Sequence, residues 1–314
     1  MTRAPARPAP PRADSASPVL SVVIASVNGW DVLGPTLDAL DAQPERAWME
    51  VVVVDAVGGE TREHLRMRIP RVELVEVDPV DHPGIPVLRY RGVERTRGEL
   101  VAMLEDHGEV APNWARALID AHRDNPWAAV GGAVENGRDG LVNWAAFFCE
   151  YTPYMTPVAE GENADLPGNN IAYKRPYLLR HAKELEKGRW ESWINDKLRA
   201  DGAHIGSTNA AVVRHIKPFR LGHFLVQRFH FSRSYAGMRR PDMTSAKRLI
   251  YGLGSLALPM MLMARITRTA LAKRRHLGRF AAALPLVALF LTVGAYGEML
   301  GYLFGPGTSL ERVE

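Results

Sequence analysis

Through the N-terminal part of the chain, apolar-rich runs alternate with longer segments of helical periodicity. The runs lie at 19–25, 51–55, 72–77 and 100–104, and each is followed by a turn signal. Apolar runs of this length between turns are typical of strands buried in a parallel sheet. Strands that alternate with helices predict an α/β domain with a mostly parallel sheet and right-handed crossovers.

Polar side chains stand where three of these runs end. Ser26 follows the first, Asp55 ends the second, and Glu105 and Asp106 follow the fourth. Parallel strands share one direction, so these ends are expected at one edge of the sheet. Ligands of open α/β sheets bind outside the carboxyl ends of strands. The pattern favours a ligand site at this edge over strand ends that simply meet water.

The run Leu100–Leu104 leads directly into Glu105, Asp106 and His107. Carboxylates and an imidazole at a strand end can hold a divalent cation, and the cation can hold phosphates. An imidazole ligand favours Mn²⁺ or another borderline metal over Mg²⁺. We therefore expect a site for a divalent metal, Mn²⁺ or Mg²⁺.

Two apolar stretches lie near the C-terminus. The stretch 249–264 carries no charge but is short for a span of about 20 residues. The stretch 281–304 is long enough and has Glu298 as its only charge. Two simple spans would place the basic segment between them outside, against the positive-inside rule. We expect 249–264 to be interfacial or re-entrant and 281–304 to insert or span, with the basic residues held against anionic headgroups. The alternative is a soluble helical hairpin in a dimer interface.

Composition adds a few limits. With 314 residues, 46% of them hydrophobic, the chain can bury a sizeable core. A lone cysteine, Cys149, excludes an intrachain disulfide and any multi-cysteine zinc site. Residues 1–18 are rich in Ala, Pro and Arg and lack the apolar core of a signal peptide, which predicts a disordered arm and a catalytic part on the cytoplasmic side. The net charge of +4 comes with basic residues beside apolar spans, a pattern that disfavours nucleic-acid binding.

Three segments in this order, 22–28, 52–55 and 97–107, resemble the nucleotide-sugar half of family 2 glycosyltransferases. The order and spacing of the segments carry the resemblance, which runs from about 19 to 239. It implies a GT-A fold, a Rossmann-like, mostly parallel sheet flanked by helices, over 19–240. A membrane-associated helical tail would follow over 241–314.

The resemblance also implies a donor site and a metal site. Glu105, Asp106 and His107 take the place of the family's Asp-X-Asp metal motif, with Glu first and His last. His215 stands where relatives have a histidine that completes the metal site or meets the diphosphate, although a structural role is equally expected. The donor-binding residues implied, besides Asp106, are Ser26, Asn28, Asp55, Arg91, Arg228 and Arg233. For the last two, on one basic helix, contact with anionic lipid is the alternative.

The acceptor side follows by the same resemblance. The loop residues Gly168, Asn169 and Asn170 are expected at the acceptor, and Trp190 and Trp193 could stack on a sugar. Counting back from Gly202 places Glu191 at the family's catalytic base, which takes the proton of an attacking hydroxyl. Asp196, one turn later, is the rival base.

Together these features predict a membrane-associated, inverting, metal-assisted glycosyltransferase at the cytoplasmic membrane. It would move a sugar from a nucleotide donor, with a UDP-sugar favoured, to a hydroxyl of a lipid-linked or polysaccharide acceptor of the cell envelope. One alternative is a polyprenyl-phosphate sugar transferase, whose acceptor needs little base catalysis. Another is a non-catalytic nucleotide-sugar-binding or scaffold protein of a membrane assembly. A homo-oligomer is compatible with all three.

Overall fold

The computed structural model describes residues 17–81, 83–163 and 165–313, so the predicted arm 1–18 lies almost wholly outside the described residues. The strands are β1 (Leu20–Ser26), β2 (Met49–Asp55), β3 (Glu73–Glu76), β4 (Leu100–Glu105), β5 (Gly108–Val110), β6 (Ala129–Asn136), β7 (Gly161–Glu162), β8 (Asn170–Lys174) and β9 (Ile205–His215). The helices are α1 (Trp30–Asp41), α2 (Gly59–Arg66), α3 (Ile85–Val93), α4 (Trp114–Asp124), α5 (Leu141–Tyr151), α6 (Arg175–His181), α7 (Lys183–Glu186), α8 (Glu191–Ala200), α9 (Leu221–Arg239), α10 (Ser245–Gly254), α11 (Leu258–Lys273) and α12 (Leu277–Phe304).

The strands form one sheet in the order β3-β2-β1-β4-β8-β6-β9-β5, and β7 pairs with β9. The first four strands of this order are parallel, which confirms the predicted α/β class. Strand β8 runs antiparallel to both of its neighbours, and β5 runs antiparallel to β9. The sheet is therefore mixed on the side that carries the later strands.

Helices cover both faces of the sheet. One core contains Val22 and Ile24 of β1 together with Leu37 of α1 and Trp114 of α4. The opposite core contains Val23 of the same strand together with residues of α3, α6 and α8. Side chains alternate between the faces of a strand, and a strand covered on both faces must be apolar throughout. This explains why β1 reads as a continuous apolar run.

The strand ends meet as predicted. Ser26 pairs in register with Asp55, and Ala25 pairs with Glu105. The carboxyl ends of β1, β2 and β4 therefore share one edge of the sheet. This edge forms the floor of the site described below.

The C-terminal helices pack against the domain through α5 and α9. Two glycines of α12 allow the approach: a Cβ on Gly297 or Gly301 would lie 2.4 Å from a backbone oxygen of α9. Two helical segments, Ser245–Lys273 and Leu277–Phe304, are long and apolar enough to cross a membrane. The first is longer than its apolar stretch suggested, because the helix continues on both sides of it. It is also the more exposed, with 17% of its most apolar window buried against 44% for the second.

Candidate active site

A cavity of about 780 Å³ lies between the carboxyl edge of the sheet and the helices α5, α8, α9 and α11. Its wall includes a polar group of side chains, Glu105, His107 and His215, and apolar side chains such as Leu262 and Ile266. Glu191 also lines it. The cavity thus joins the edge predicted from the strand ends to the C-terminal helices.

Glu105, His107 and His215 form a cluster that could hold a metal ion, with one ligand atom from each lying within 4.8 Å of the others. Strand pairing explains why residues so far apart in sequence meet. Antiparallel pairing of β5 with β9 sets Gly108 opposite His215, and the backbone N–H of Ile216 donates to the carbonyl of His107 at 3.0 Å. The two imidazoles are then 4.4 Å apart between ring centroids.

The charges of the cluster suit a cation. Burial and the neighbouring His107 together lower the pKa of His215 to about 3, so His215 is neutral. Its Nδ1 atom is buried without a hydrogen-bond partner in the described part of the chain. Burial also disfavours the charged form of His107, but Glu105 and Asp106 outweigh burial and raise its pKa to about 9. One carboxylate and two imidazoles are a donor set that fits Mn²⁺ or a similar borderline metal.

Asp106 does not join this cluster. Its carboxylate accepts hydrogen bonds from the backbone N–H groups of Val27 and Asn28, both at 2.8 Å. It also lies 2.7 Å from His107 Nδ1, on the far side of the imidazole from Glu105. Asp106 therefore orients the ring of His107, as a carboxylate partner of a metal-binding histidine does, and fixes the β1–α1 loop.

The residues predicted to bind the base and ribose share the expected edge, but the cavity wall does not include them. Asp55 accepts from the backbone N–H of Gly58 at 3.1 Å and from Arg62 Nε at 2.7 Å. Asn28 hydrogen-bonds to Asp106 and accepts from Lys217. The hydroxyl of Ser26 is buried and, among the described residues, has no partner. Most of these polar atoms already hold the loops at the edge.

Lys217, which the sequence analysis did not identify, lines the cavity beside the metal cluster. It follows His215 by two residues and donates to Asn28. Its ammonium group is a cation at the end of the cleft where a diphosphate is expected.

The arginine of α3 that lines the cavity is not the one that was predicted to approach the donor. Arg91 is exposed, whereas Arg89 is 2% exposed and lines the cavity. Successive helical residues are rotated by 100°, so residues two apart point away from each other. Arg89 Nη1 lies 2.6 Å from Glu191 Oε1 in a buried ion pair.

Glu191 is the first residue of α8 and is 2% exposed. Its Oε2 atom faces Gly168, where a Cβ would lie 2.9 Å away. Because glycine has no side chain, position 168 leaves enough space for the carboxylate of Glu191. The rival base Asp196 has a side chain that is 61% exposed and pairs with Arg199.

The predicted acceptor loop divides into two parts. Asn169 donates to Glu105 Oε2 at 3.2 Å and lines the cavity. Asn170 is fully buried, and its amide donates to the carbonyls of Ala133 and Ala211, both at 2.9 Å. The structure therefore assigns Asn170 to the interior of the sheet and only its neighbours to the cleft.

Aromatic rings of α9 face the two predicted tryptophans. Trp190 lies 5.2 Å from Phe231, and Trp193 lies 4.8 Å from Tyr235, between ring centroids. The sequence analysis did not identify Phe231 and Tyr235. Their spacing of four residues, continued by Arg239, is the signal that marks one helical face.

The two arginines of α9 that were predicted to bind the donor lie in different surroundings. Arg228 lines the cavity, with Nη1 3.8 Å from Glu150 Oε1. Arg233 Nε donates to the carbonyl of Gly305 at 3.2 Å and so ties α9 to the segment after α12. The structure therefore leaves Arg233 outside the cleft.

Several basic residues expected at lipid headgroups instead bind the domain. Lys273 donates to the carbonyls of the loop that follows α5, among them that of Pro153 at 2.9 Å. Ion pairs join Arg265 to Asp165 at 3.0 Å and Arg275 to Glu135 at 2.7 Å. These contacts hold the end of α11 against the domain rather than against a surface outside the protein.

Sequence comparisons relate the chain to known glycosyltransferases. The family model described as Glycosyl transferase family 2 matches residues 21–180. Glucosyl-dolichyl phosphate glucuronosyltransferase of Haloferax volcanii is 29% identical over 180 residues, which are 51% of this chain and 54% of that protein. Polypeptide N-acetylgalactosaminyltransferase 12 of Mus musculus is 28% identical over 139 residues, 41% of this chain and 23% of that protein. The matches thus span about half or less of the length of these curated relatives.

Solved structures give the fold. The mannosyltransferase PcManGT from Pyrobaculum calidifontis, in complex with GDP-Man and Mn²⁺, superposes with a TM-score of 0.57 at 18% identity, covering 92% of this chain and 86% of that one. GalNAc-T7 with UDP, GalNAc and Mn²⁺ superposes with a TM-score of 0.50 at 16% identity, covering 66% of this chain and 45% of that one. These similarities confirm the predicted GT-A fold.

Proposed function

The chain belongs to glycosyl transferase family 2, and from this premise we propose the reaction that its cleft performs. It transfers a sugar from a nucleoside diphosphate sugar, with a UDP-sugar favoured, to a hydroxyl of a lipid-linked acceptor. The transfer is metal-assisted and inverts the anomeric carbon. The bond from that carbon to the donor phosphate breaks as the bond to the acceptor oxygen forms.

One observation carries the proposal. Two consecutive loop residues touch both halves of the expected chemistry, since Asn169 bonds to Glu105 and Gly168 lies against Glu191. One loop therefore connects the metal cluster and the base, and both line the same cavity. A cofactor site without catalysis would not need a buried carboxylate there.

On the donor side, Glu105, His107 and His215 would hold the metal ion. When bound, a cation at this place compensates the negative charge that builds on the departing diphosphate. Lys217, beside His215, would contact the same phosphates, and Arg228 is a second candidate. Asp106 would keep the imidazole of His107 in the orientation that ligation needs.

On the acceptor side, Glu191 would accept the proton of the attacking hydroxyl. Arg89 pairs with one oxygen of this carboxylate, and the other oxygen faces Gly168. Trp190, Phe231 and Tyr235 line the cavity, and their rings would hold the acceptor sugar by stacking. Trp193 lies outside the cavity wall and packs behind Tyr235. A fixed hydroxyl beside a fixed base lowers the entropic part of the barrier.

Membrane association supports a lipid-linked acceptor. Along α10 and α11, large apolar side chains are exposed, among them Ile250 at 67% and Met260 at 77%. Such a face suits an interface with the hydrocarbon boundary of a bilayer. The name of the Haloferax relative includes a dolichyl phosphate, which agrees with this class of acceptor. We propose the cytoplasmic membrane as the location, with the catalytic domain on its cytoplasmic side.

A polyprenyl-phosphate sugar transferase is the second candidate, because the same apolar face would admit that acceptor. An anionic phosphate acceptor has no proton to lose to a base. The buried Glu191, held by Arg89 beside the loop at Gly168, favours the hydroxyl acceptor. The non-catalytic alternative loses its main support, because Glu105 and His107 of the altered motif still form a possible three-donor metal site with His215.

The test is sugar release and transfer by the purified full chain. UDP-, GDP- and dTDP-sugars are incubated with Mn²⁺ and, in separate assays, a lipid-linked glycoside or a polyprenyl phosphate, and products are separated by mass. Transfer that disappears in Glu191→Gln supports a hydroxyl acceptor. Transfer that Glu191→Gln leaves nearly intact supports the polyprenyl-phosphate alternative, and no turnover of any donor would refute the proposal.

A further inference from the structure

Most cations that line the cleft are already matched with carboxylates. Arg89 pairs with Glu191, Arg265 with Asp165, and Arg199 with Asp196. Arg228 has Glu150 at 3.8 Å. Within the described part of the chain, two lining cations have no carboxylate oxygen within 4.0 Å. They are Lys217, which follows His215 by two residues, and Arg239, the last residue of α9.

Arg239 is held by rings rather than by charge. Its Cζ atom lies 4.4 Å from the ring centroid of Tyr235 and 5.6 Å from that of Trp193. Its Nη2 atom donates to the hydroxyl of Tyr235 at 2.8 Å, and Tyr302 of α12 is a further neutral partner. Glu298 acts on it electrostatically, yet no described carboxylate oxygen lies within 4.0 Å. The guanidinium is thus oriented and retains donors for an anion.

Its position relative to the base follows from helix geometry. Phe231, Tyr235 and Arg239 are spaced by four residues on one face of α9. At 1.5 Å of rise per residue, Arg239 lies about 12 Å along the axis from Phe231, which packs on the tryptophan before Glu191. A sugar stacked on this aromatic face would present one end to Glu191 and the other end towards Arg239.

Beyond Arg239 the surface leads to the apolar face of α10. Tyr302, which contacts Arg239, lies 5.5 Å from Tyr251 between ring centroids. Tyr251 is 53% exposed and stands next to Ile250, which is 67% exposed. Aromatic side chains with one polar end are suited to the boundary between water and lipid. The path therefore runs from the base past the aromatic rings to Arg239, which has no ion-pair partner among the described residues, and then to the exposed apolar face.

We propose that Arg239 binds the phosphate through which the acceptor sugar is attached to its lipid. The phosphate pairs with the guanidinium, whose planar donors match phosphate oxygens. The sugar lies on the rings between Arg239 and Glu191, and the lipid continues past Tyr251 onto α10. This assignment rests on the proposed function and narrows its acceptor to phosphate-linked lipid glycosides.

The test uses the full chain in neutral phosphatidylcholine nanodiscs and two probes, farnesyl phosphate and farnesol. Binding is followed by tryptophan fluorescence, because Trp193 lies beside the guanidinium. We expect the wild type to bind farnesyl phosphate at least about tenfold more tightly than farnesol, which is the effect of one charge-assisted pair. Arg239→Gln removes this preference, and Arg239→Lys keeps part of it.

Controls separate this site from the donor site and from lipid headgroups. Arg268→Gln removes an exposed charge of α11 and leaves the preference unchanged. Binding of UDP with Mn²⁺ shows that the variants keep a folded cleft, and its absence in the wild type would count against the proposed function alone. Equal binding of the two probes by the wild type would overturn the inference. So would a weaker binding of Arg239→Gln to phosphatidylglycerol vesicles with an unchanged preference between the probes, which would identify a headgroup contact.

Discussion

The two ends of the cleft are built by different means. At the donor end, strand pairing sets the metal cluster, and β5 against β9 brings His107 to His215. At the acceptor end, helices meet through aromatic rings packed edge to face, as Trp193 of α8 does with Tyr235 of α9. Hydrogen-bonded register fixes distances closely, whereas packed rings tolerate small shifts. The comparison predicts a rigid donor end and an acceptor end that depends on how α9 is seated on α12.

The largest expected effect lies where the two ends meet. Glu191→Gln keeps the shape of the side chain but removes the proton acceptor, and general bases contribute about 10²–10⁴-fold to rate. We expect kcat for transfer to fall by that factor while donor binding stays near the wild-type value. Asp196→Asn is the matched control, because its exposed side chain should leave kcat unchanged. A large fall in kcat for Asp196→Asn, together with a wild-type kcat for Glu191→Gln, would identify Asp196 as the base instead.

The next prediction compares two arginines of one helix. Arg89→Met leaves the buried carboxylate of Glu191 without its partner, and breaking a buried ion pair costs about 3–5 kcal/mol. Arg91→Met alters an exposed position and should change the free energy of unfolding by less than about 0.5 kcal/mol. Denaturant unfolding of both variants measures the difference. Equal effects would contradict the assigned phase of α3.

At the donor end alone, His215→Ala removes one of the three proposed metal ligands. We expect Mn²⁺ affinity to fall by more than about tenfold in a calorimetric titration. Asp106→Asn, which acts only through the orientation of His107, should cause a smaller loss together with a lower unfolding temperature. Glu109→Gln, an exposed carboxylate of β5, is the control that should leave Mn²⁺ affinity unchanged. A greater loss of Mn²⁺ affinity for Asp106→Asn than for His215→Ala would indicate that Asp106 binds the metal directly.

The last prediction at the donor end concerns the proton that is released when Mn²⁺ binds. With a pKa raised to about 9, His107 is protonated in the metal-free protein at neutral pH, whereas His215, with a pKa lowered to about 3, is not. A ligating imidazole must be neutral, so Mn²⁺ binding should release close to one proton at pH 7. Affinity should then rise by up to about tenfold per pH unit and level off above pH 9. Calorimetry in two buffers of different ionisation enthalpy measures the release, and a value near zero would contradict the coupling.

Without the metal, the same raised pKa of His107 makes a contribution to stability. The charged imidazole is stabilised by Glu105 and Asp106 only in the folded state. This contribution is fully present below the unfolded pKa of about 6.5 and is lost as the pH rises through about 9. The unfolding temperature of the metal-free protein should therefore fall across that interval.

The comparison also shows what the sequence could predict. Continuous apolar runs predicted the central strands and their shared edge, because a strand buried on both faces must be apolar throughout. The position of Glu191 at the start of a helix came from the spacing of a family motif. Both features depend on short stretches of chain, where local pattern and local structure agree.

The remaining site residues depended on phase or on distant contacts. Asp106 and His107 lie in the turn between β4 and β5, where Glu105 and His107 line the cleft while Asp106 bonds to the β1–α1 loop. Asn169 lies in the turn before β8 and lines the cleft, whereas Asn170 begins the strand and is buried in the sheet. Helical phase separates Arg89 from Arg91. A motif located to within one or two residues does not determine these directions.

Donor binding with and without metal tests the central claim most directly. The unfolding temperature of the full chain is measured with UDP-, GDP- and dTDP-sugars, each in the presence and absence of Mn²⁺, for the wild type and for His215→Ala. We predict that one nucleotide sugar raises the unfolding temperature of the wild type in the presence of Mn²⁺, and that the rise is largely lost without the metal and in His215→Ala. No rise with any donor, or an equal rise without Mn²⁺ and in His215→Ala, would contradict the account.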